Sequence, residues 1–305
     1  MTTSRRSFLR TAGILGGASL ALGPTRVVAA LWAPAEPTGF GVLTDLSACV
    51  GCHGCEVACN AANGLPRPAV PFGAEVVPGV RRRPGNSSFT AVSTYADPTR
   101  QDGQVHVKTQ CMHCNEPACV SACPVRALRK SPEGAVLYDE TVCMGCRYCM
   151  IACPFQIPSY EFESALEPRV RKCVLCIDRI RKQGGVPACV ENCPVQASTF
   201  GRRADILRLA RERIVASKGE YVDHIYGEHE AGGTSWLYIS KVPFAALGFP
   251  TDLEMRPYVE LTKGALSAVP LVLVLGPPLL MGLHAISKRH PEPDPSDASP
   301  TPTVA

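Results

Sequence analysis

Sixteen cysteines are the residues of this chain best suited to do chemistry, and their spacing groups them into four sets with none left over. The first set is Cys49-x2-Cys52-x2-Cys55-x3-Cys59, and the second is Cys111-x2-Cys114-x4-Cys119-x3-Cys123-Pro124. The third is Cys143-x2-Cys146-x2-Cys149-x3-Cys153-Pro154, and the fourth is Cys173-x2-Cys176-x12-Cys189-x3-Cys193-Pro194. The first and third have the spacing of the bacterial ferredoxin run, with Asn60 in place of proline after the first. Two residues between sulfurs let one tight loop present three thiolates to three corners of an iron–sulfur cubane. The fourth cysteine lies on the helix that follows and reaches the neighbouring cluster instead, as in two-cluster ferredoxins. Four runs imply four [4Fe-4S] clusters as cofactors. Paired Cys-x2-Cys can also hold tetrahedral zinc, and an even cysteine count admits a disulfide framework. The run ending in Cys-Pro is rare at zinc sites, which favours clusters. Cys49-Val50-Gly51-Cys52-His53 spells a c-type haem attachment sequence as well, but its cysteines open a full ferredoxin run.

The elements that must position these loops are short. Val105–Lys108 and Ala135–Tyr138 read as β segments, each leading into a cysteine loop. Residues 60–105 read as an insertion with turns and a hairpin, and its run Arg81-Arg82-Arg83 reads as a solvated loop, with a partner contact as the alternative. Residues 205–216, DILRLARERIVA, carry apolar side chains at helical spacing, as expected of an amphipathic surface helix packed in the ordinary way.

Both ends of the chain carry membrane signals. Ser4-Arg5-Arg6-Ser7-Phe8-Leu9-Arg10, a moderately apolar stretch, and Val28-Ala29-Ala30 give a twin-arginine signal peptide over residues 1–30. An ordinary Sec signal or a short buried helix is the alternative. The twin-arginine route exports folded proteins, so clusters are loaded in the reducing cytoplasm, whereas disulfides form outside. The 24 residues 264–287 contain no Asp, Glu, Lys or Arg and suffice to span a bilayer as a helix, with Gly276-Pro277-Pro278 near the middle. A buried hairpin is the alternative. Lys288-Arg289-His290 directly after the stretch favours a cytoplasmic C-terminus, and residues 288–305 read as a disordered tail.

The chain has 305 residues and a formal charge of +4, but Arg5, Arg6, Arg10 and Arg26 all lie in the first thirty residues. Without them the count is 27 basic against 27 acidic residues, which gives no reason to expect a nucleic-acid partner. No nucleophile–base motif or dinucleotide loop is present, so substrate chemistry belongs to another subunit. A cluster-bearing sensor would stay cytoplasmic and carry a DNA-binding module, so export and anchoring favour an electron carrier.

The segments CMHCNEPACVSACPV (111–125), VCMGCRYCMIACPF (142–155) and RKCVLC (171–176) resemble the electron-transfer subunits of membrane-bound bacterial oxidoreductases. IYGEHEAGGTSWLYISKVPF (225–244), an own signal and one C-terminal helix look most like the HybA type, which serves uptake nickel–iron hydrogenases. The wider family serves formate dehydrogenases and dimethyl sulfoxide, polysulfide and nitrite reductases. The resemblance implies an α+β fold of duplicated bacterial ferredoxin-like domains: a tandem unit over 31–200, a helix and strand extension over 201–262, and the membrane helix. It implies two partners, a periplasmic catalytic oxidoreductase subunit and an integral membrane quinone-reactive subunit, with the chain on the periplasmic side of the inner membrane. It also implies that cluster ligands are exchanged between runs. One set is Cys49, Cys52, Cys55 and Cys193, and another is Cys173, Cys176, Cys189 and Cys59. The remaining two are Cys111, Cys114, Cys119 and Cys153, and Cys143, Cys146, Cys149 and Cys123.

Overall fold

The computed structural model describes residues 39–162, 164 and 169–287, so the expected signal peptide and the tail lie outside the described residues. Strand β1 (Phe40–Asp45) is the centre of a three-stranded sheet, antiparallel to β8 (Ser198–Arg202) and parallel to β9 (Trp236–Ile239). Alternation along a strand sends successive side chains to opposite faces. Val42, Trp236 and Tyr238 accordingly join the cysteine-bearing core, while Leu43, Leu237 and Ile239 pack on helix α6 (Arg203–Ala216). α6 contributes Ile206 and Ala210, so the apolar stripe read from the sequence is spent on this sheet. The extension thus supplies a strand to the same sheet that receives the start of the ferredoxin region.

Three two-stranded hairpins complete the scaffold. β2 (Thr90–Ala96) pairs with β3 (Gln104–Gln110), β4 (Leu128–Lys130) with β5 (Val136–Tyr138), and β6 (Ser159–Tyr160) with β7 (Val170–Arg171). Both expected β segments are present, in β3 and β5. The insertion does contain a hairpin strand, but its arginine run is not a solvated loop. Arg81 Nη2 donates to the Phe155 carbonyl at 3.1 Å, Arg83 donates to the Gln156 carbonyl, and Arg82 Nη1 donates to Glu56 Oε1 at 2.8 Å. Glu56 is buried, so the insertion is clamped by a charge-assisted bond to a carboxylate that needs a partner.

The cysteine helices are α1 (Gly54–Ala62), α2 (Ala118–Ser121), α3 (Tyr148–Ile151), α4 (Ile177–Gln183) and α5 (Ala188–Glu191). Proline disfavours helical backbone in the residue before it. α2, α3 and α5 therefore stop short of Cys123, Cys153 and Cys193, each of which precedes a proline. Asn60 imposes no such stop, and α1 runs on through Cys59 to Ala62. Helix α7 (Tyr258–Ser287) begins ahead of the apolar stretch and has no buried residue. Its 30 residues span about 45 Å, more than the roughly 30 Å of bilayer hydrocarbon. It is one continuous helix long and apolar enough to cross a membrane, not a buried hairpin.

Candidate metal centres

Each cysteine loop is shaped by left-handed backbone. In the first run Gly51 (φ 66°) and His53 (φ 57°) adopt it, and in the third run Gly145 (φ 71°) and Arg147 (φ 61°) do so at the same places. Alternating conformations of this kind turn successive N–H groups inward and make concavities that receive anions, iron–sulfur clusters among them. The residues three beyond the last cysteines of the second, third and fourth runs, Arg126, Gln156 and Gln196, are also left-handed. This turn aims the next backbone N–H at sulfur: Ala127 N donates to Cys123 Sγ at 3.2 Å, and Ala197 N to Cys193 Sγ at 3.3 Å. After the first run the helix continues, and a side chain takes over this contact. Asn63 Nδ2 donates to Cys59 Sγ at 3.6 Å.

The runs interleave in pairs. α1 packs on α5 and α2 on α3, so the first run meets the fourth and the second meets the third. One cavity is lined by Cys49, Cys52 and Cys55 of the first run and by Cys193 of the fourth, with Cys189 also reaching its wall. A second is lined by Cys173, Cys176 and Cys189 of the fourth run and by Cys59 of the first. In the other pair, Cys114 has Cys153, Cys111 and Cys119 as its thiol neighbours. Cys149 has Cys143, Cys146 and Cys123. Every predicted ligand thus stands among thiols from two runs, and all sixteen thiols are free of disulfides.

Burial dominates the chemistry of these thiols. It pushes Cys59 and Cys119 up to about 12 and Cys149 up to about 11, and it raises Cys114 and Cys173 well above the usual thiol range, with neighbouring thiols adding to the effect. A buried thiolate needs a compensating positive charge, and soft sulfur donors select iron–sulfur clusters, zinc or cuprous ions. A single zinc ion needs ligands about 2.3 Å from one point. Among the described residues, no three His, Cys, Asp or Glu side chains converge in that way. Four thiols spread around a cavity fit a cubane.

The haem alternative fails on the cysteines: Cys49 and Cys52 line one cavity together with Cys55 and Cys193, as members of a four-thiol set. His53 Nδ1 lies 2.5 Å from Glu56 Oε2, within the same buried carboxylate network that holds Arg82 and the Val92 N–H.

Three residues with no assigned role in the motifs lie close to the thiols, and one of them, His113, reaches a sulfur. His113 is fully buried, and its Nδ1 accepts from the Val136 N–H at 2.9 Å. Nδ1 being the acceptor, the proton of the neutral ring sits on Nε2, 3.4 Å from Cys173 Sγ, and points from the second run to the fourth. Burial, with Lys172 beside it, keeps this imidazole uncharged. Lys130 Nζ donates to the carbonyls of His113 at 2.8 Å and Gly134 at 2.7 Å, and burial depresses it to about 8 despite Cys114 and Cys111 nearby. Lys172, also buried, donates to the carbonyls of Val136 and Cys173. Lys172 lies inside the quoted motif RKCVLC, but nothing in the spacing says that it or Lys130 would be buried, because strand and loop lysines usually face water. His113 lies inside the quoted motif CMHC, and only its distance to Cys173 gives it a role.

Residues 104–203 match the 4Fe-4S dicluster domain family. A Nitratidesulfovibrio vulgaris protein is 45% identical over 287 residues, covering 93% of this chain and 77% of that one. The hydrogenase-2 operon protein HybA of Escherichia coli O157:H7 is 33% identical, covering 94% of this chain and 97% of its own. The iron–sulfur subunit of the nitrate-inducible formate dehydrogenase of Escherichia coli K12 is 36% identical, covering 73% of this chain and 76% of its own. The interleaved thiols, their inward-turned loops and these near full-length likenesses agree: the chain belongs to the family of HybA-type and formate dehydrogenase iron–sulfur subunits, electron-transfer proteins that carry multiple [4Fe-4S] clusters.

Proposed function

We propose that the chain holds four [4Fe-4S] clusters on the exchanged ligand sets and carries electrons between a periplasmic catalytic subunit, a nickel–iron hydrogenase, and a membrane quinone-reactive subunit. The observation that carries the reading is the pair of cavities, each lined by three cysteines of one run and the last cysteine of another. When bound, a cluster takes up and releases one electron at a time. The chain's part is to hold the thiolates, turn backbone N–H groups toward them and keep water from the buried ones. Cys52 and Cys146, at matching places in the first and third runs, are the two exposed thiols, so each pair of runs presents one edge to a docking partner. α2 contacts α7, which favours the second and third runs as the end nearer the membrane. The near full-length likeness to HybA favours a hydrogenase over a formate dehydrogenase as the enzyme served.

The exported, membrane-anchored placement rests on Arg5 and Arg6 and on α7. Anaerobically purified full chain should contain about sixteen irons and sixteen acid-labile sulfides, four cubanes by the ligand count. Stoichiometric zinc with little sulfide would overturn the assignment. Replacing Arg5 and Arg6 with Lys should leave loaded protein in the cytoplasm. Truncation after Lys263 should release the chain, expressed without partners, from washed membranes with its iron retained, since all sixteen cysteines precede that point.

A further inference from the structure

Lys108 is a fully buried lysine on β3, and it lines both the first-run and the fourth-run cavities. Its ammonium lies 4.0 Å from the centre of the Trp236 ring and donates to Gln110 Oε1 at 2.8 Å. Tyr238 closes the surroundings: Gln110 Nε2 donates to its hydroxyl oxygen, and that hydroxyl donates to the Lys108 carbonyl. Among the described residues no carboxylate forms an ion pair with it. The groups that face it are thiols from both sets, with Cys189 and Cys55 foremost. Burial by itself favours the neutral amine, so a charged Lys108 at this place calls for negative groups beside it.

A buried ammonium without a carboxylate is costly unless something negative accompanies it. A cubane with four thiolates is negative, and it is more negative by one charge when reduced. A fixed cation between two such groups therefore stabilises the reduced form of each. The burial of Lys108 and Trp236 weakens screening of this interaction.

We infer that Lys108 is the counter-cation shared by the first-run and fourth-run centres and raises the reduction potential of both. This rests on the four-cluster reading above. Lys130 and Lys172 stand beside the other thiols, so the effect of Lys108 should be confined to two centres of the four.

The test is a potentiometric titration of anaerobically loaded full-length chain, followed by electron paramagnetic resonance, for wild type, Lys108→Met and Lys108→Arg. In Lys108→Met, two of the four centres should become harder to reduce, with the reduced-to-oxidised ratio at a fixed potential falling about tenfold, equivalent to about 59 mV for a one-electron couple. Lys108→Arg should restore both. Equal shifts in all four centres, or no shift with full iron, overturn the inference. If Lys108→Met does not load fully, iron content decides. Loss confined to about half the iron, with Lys108→Arg fully loaded, supports the counter-cation. Loss of all iron, or the same loss in Lys108→Arg, shows that shape rather than charge matters and overturns it. Wild-type protein lacking four clusters would instead defeat the four-cluster reading.

Discussion

The first and fourth cysteine runs share their local design with the second and third, but differ in what surrounds them. In both pairs, left-handed residues wrap the loop, a short helix brings the third cysteine, and the last cysteine sits beside its partner run. Around the first and fourth runs the protein adds material from outside the motifs: the sheet β8-β1-β9, the hairpin β2-β3, and the insertion clamped through Arg82 and Glu56. Trp236, Tyr238 and Lys108 are buried there. The second and third runs are backed mainly by the small hairpins β4-β5 and β6-β7, and exposed apolar side chains stand in and beside the third run: Met144, Tyr148, Ile151 and Phe162. The first pair carries more added structure, while Cys52 in it and Cys146 in the other are both exposed. The same ligand motif thus serves two environments, and the environments come from segments that hold no cysteine.

The strongest way to break this contrast is Trp236→Ala. Trp236 is fully buried, and its Nε1 donates to Thr44 Oγ1 at 2.9 Å. Truncation should cost about 3–5 kcal/mol. Thermal unfolding of the loaded chain reads the loss, and the resonance signals of two centres should suffer first. Equal damage to all four would mean that the added structure supports both pairs.

Asn60→Pro sharpens the contrast by giving the first run the proline that ends the others. A proline inside α1 should cost about 3 kcal/mol. It also removes the amide that donates to the carbonyls of Pro66 at 2.8 Å and Ser87 at 2.6 Å, which ties the insertion down. Limited proteolysis should then cut within residues 64–88, and an unchanged digestion pattern would show that the insertion is held by its arginines alone.

Arg181→Gln probes a tie between the halves. Arg181 on α4 makes paired 2.8 Å bonds to Glu133 in the β4-β5 turn, and the guanidinium holds that carboxyl down at about 2. The pair is solvent-exposed and should contribute no more than about 1 kcal/mol. A carboxyl lowered in the folded state adds stability above its ordinary value near 4.3, and the contribution is lost as pH falls toward about 2. The difference in melting temperature between wild type and variant should therefore be full at pH 7 and begin to narrow below about pH 5.

The smallest stability effect belongs to Ile151→Lys. This side chain is 82% exposed, so stability should stay within about 0.5 kcal/mol of wild type. Co-purification with the membrane partner should nonetheless weaken if the surface beside the third run is the docking face, and undiminished recovery would place docking elsewhere.

The sequence by itself determined the chemistry and its local frames. Sixteen thiols at two- and three-residue spacings dictate loops that present sulfur, Cys-Pro dictates where three helices end, and 24 uncharged residues dictate an apolar helix. These are short-range consequences of backbone sterics and side-chain type, so they need no neighbour to be read. Tertiary structure decided what meets across long separations. β9 joins β1 almost two hundred residues away, the Arg81–Arg83 run turns inward onto Glu56 and the Phe155 and Gln156 carbonyls, and Lys108 lies between two sets of thiols. A lysine in a strand reads as solvent-facing because the sequence carries its charge but not the surface that will cover it. Only the packed hairpin, with Trp236 arriving from the extension, closes water away from that ammonium and leaves the sulfurs as its counter-charge.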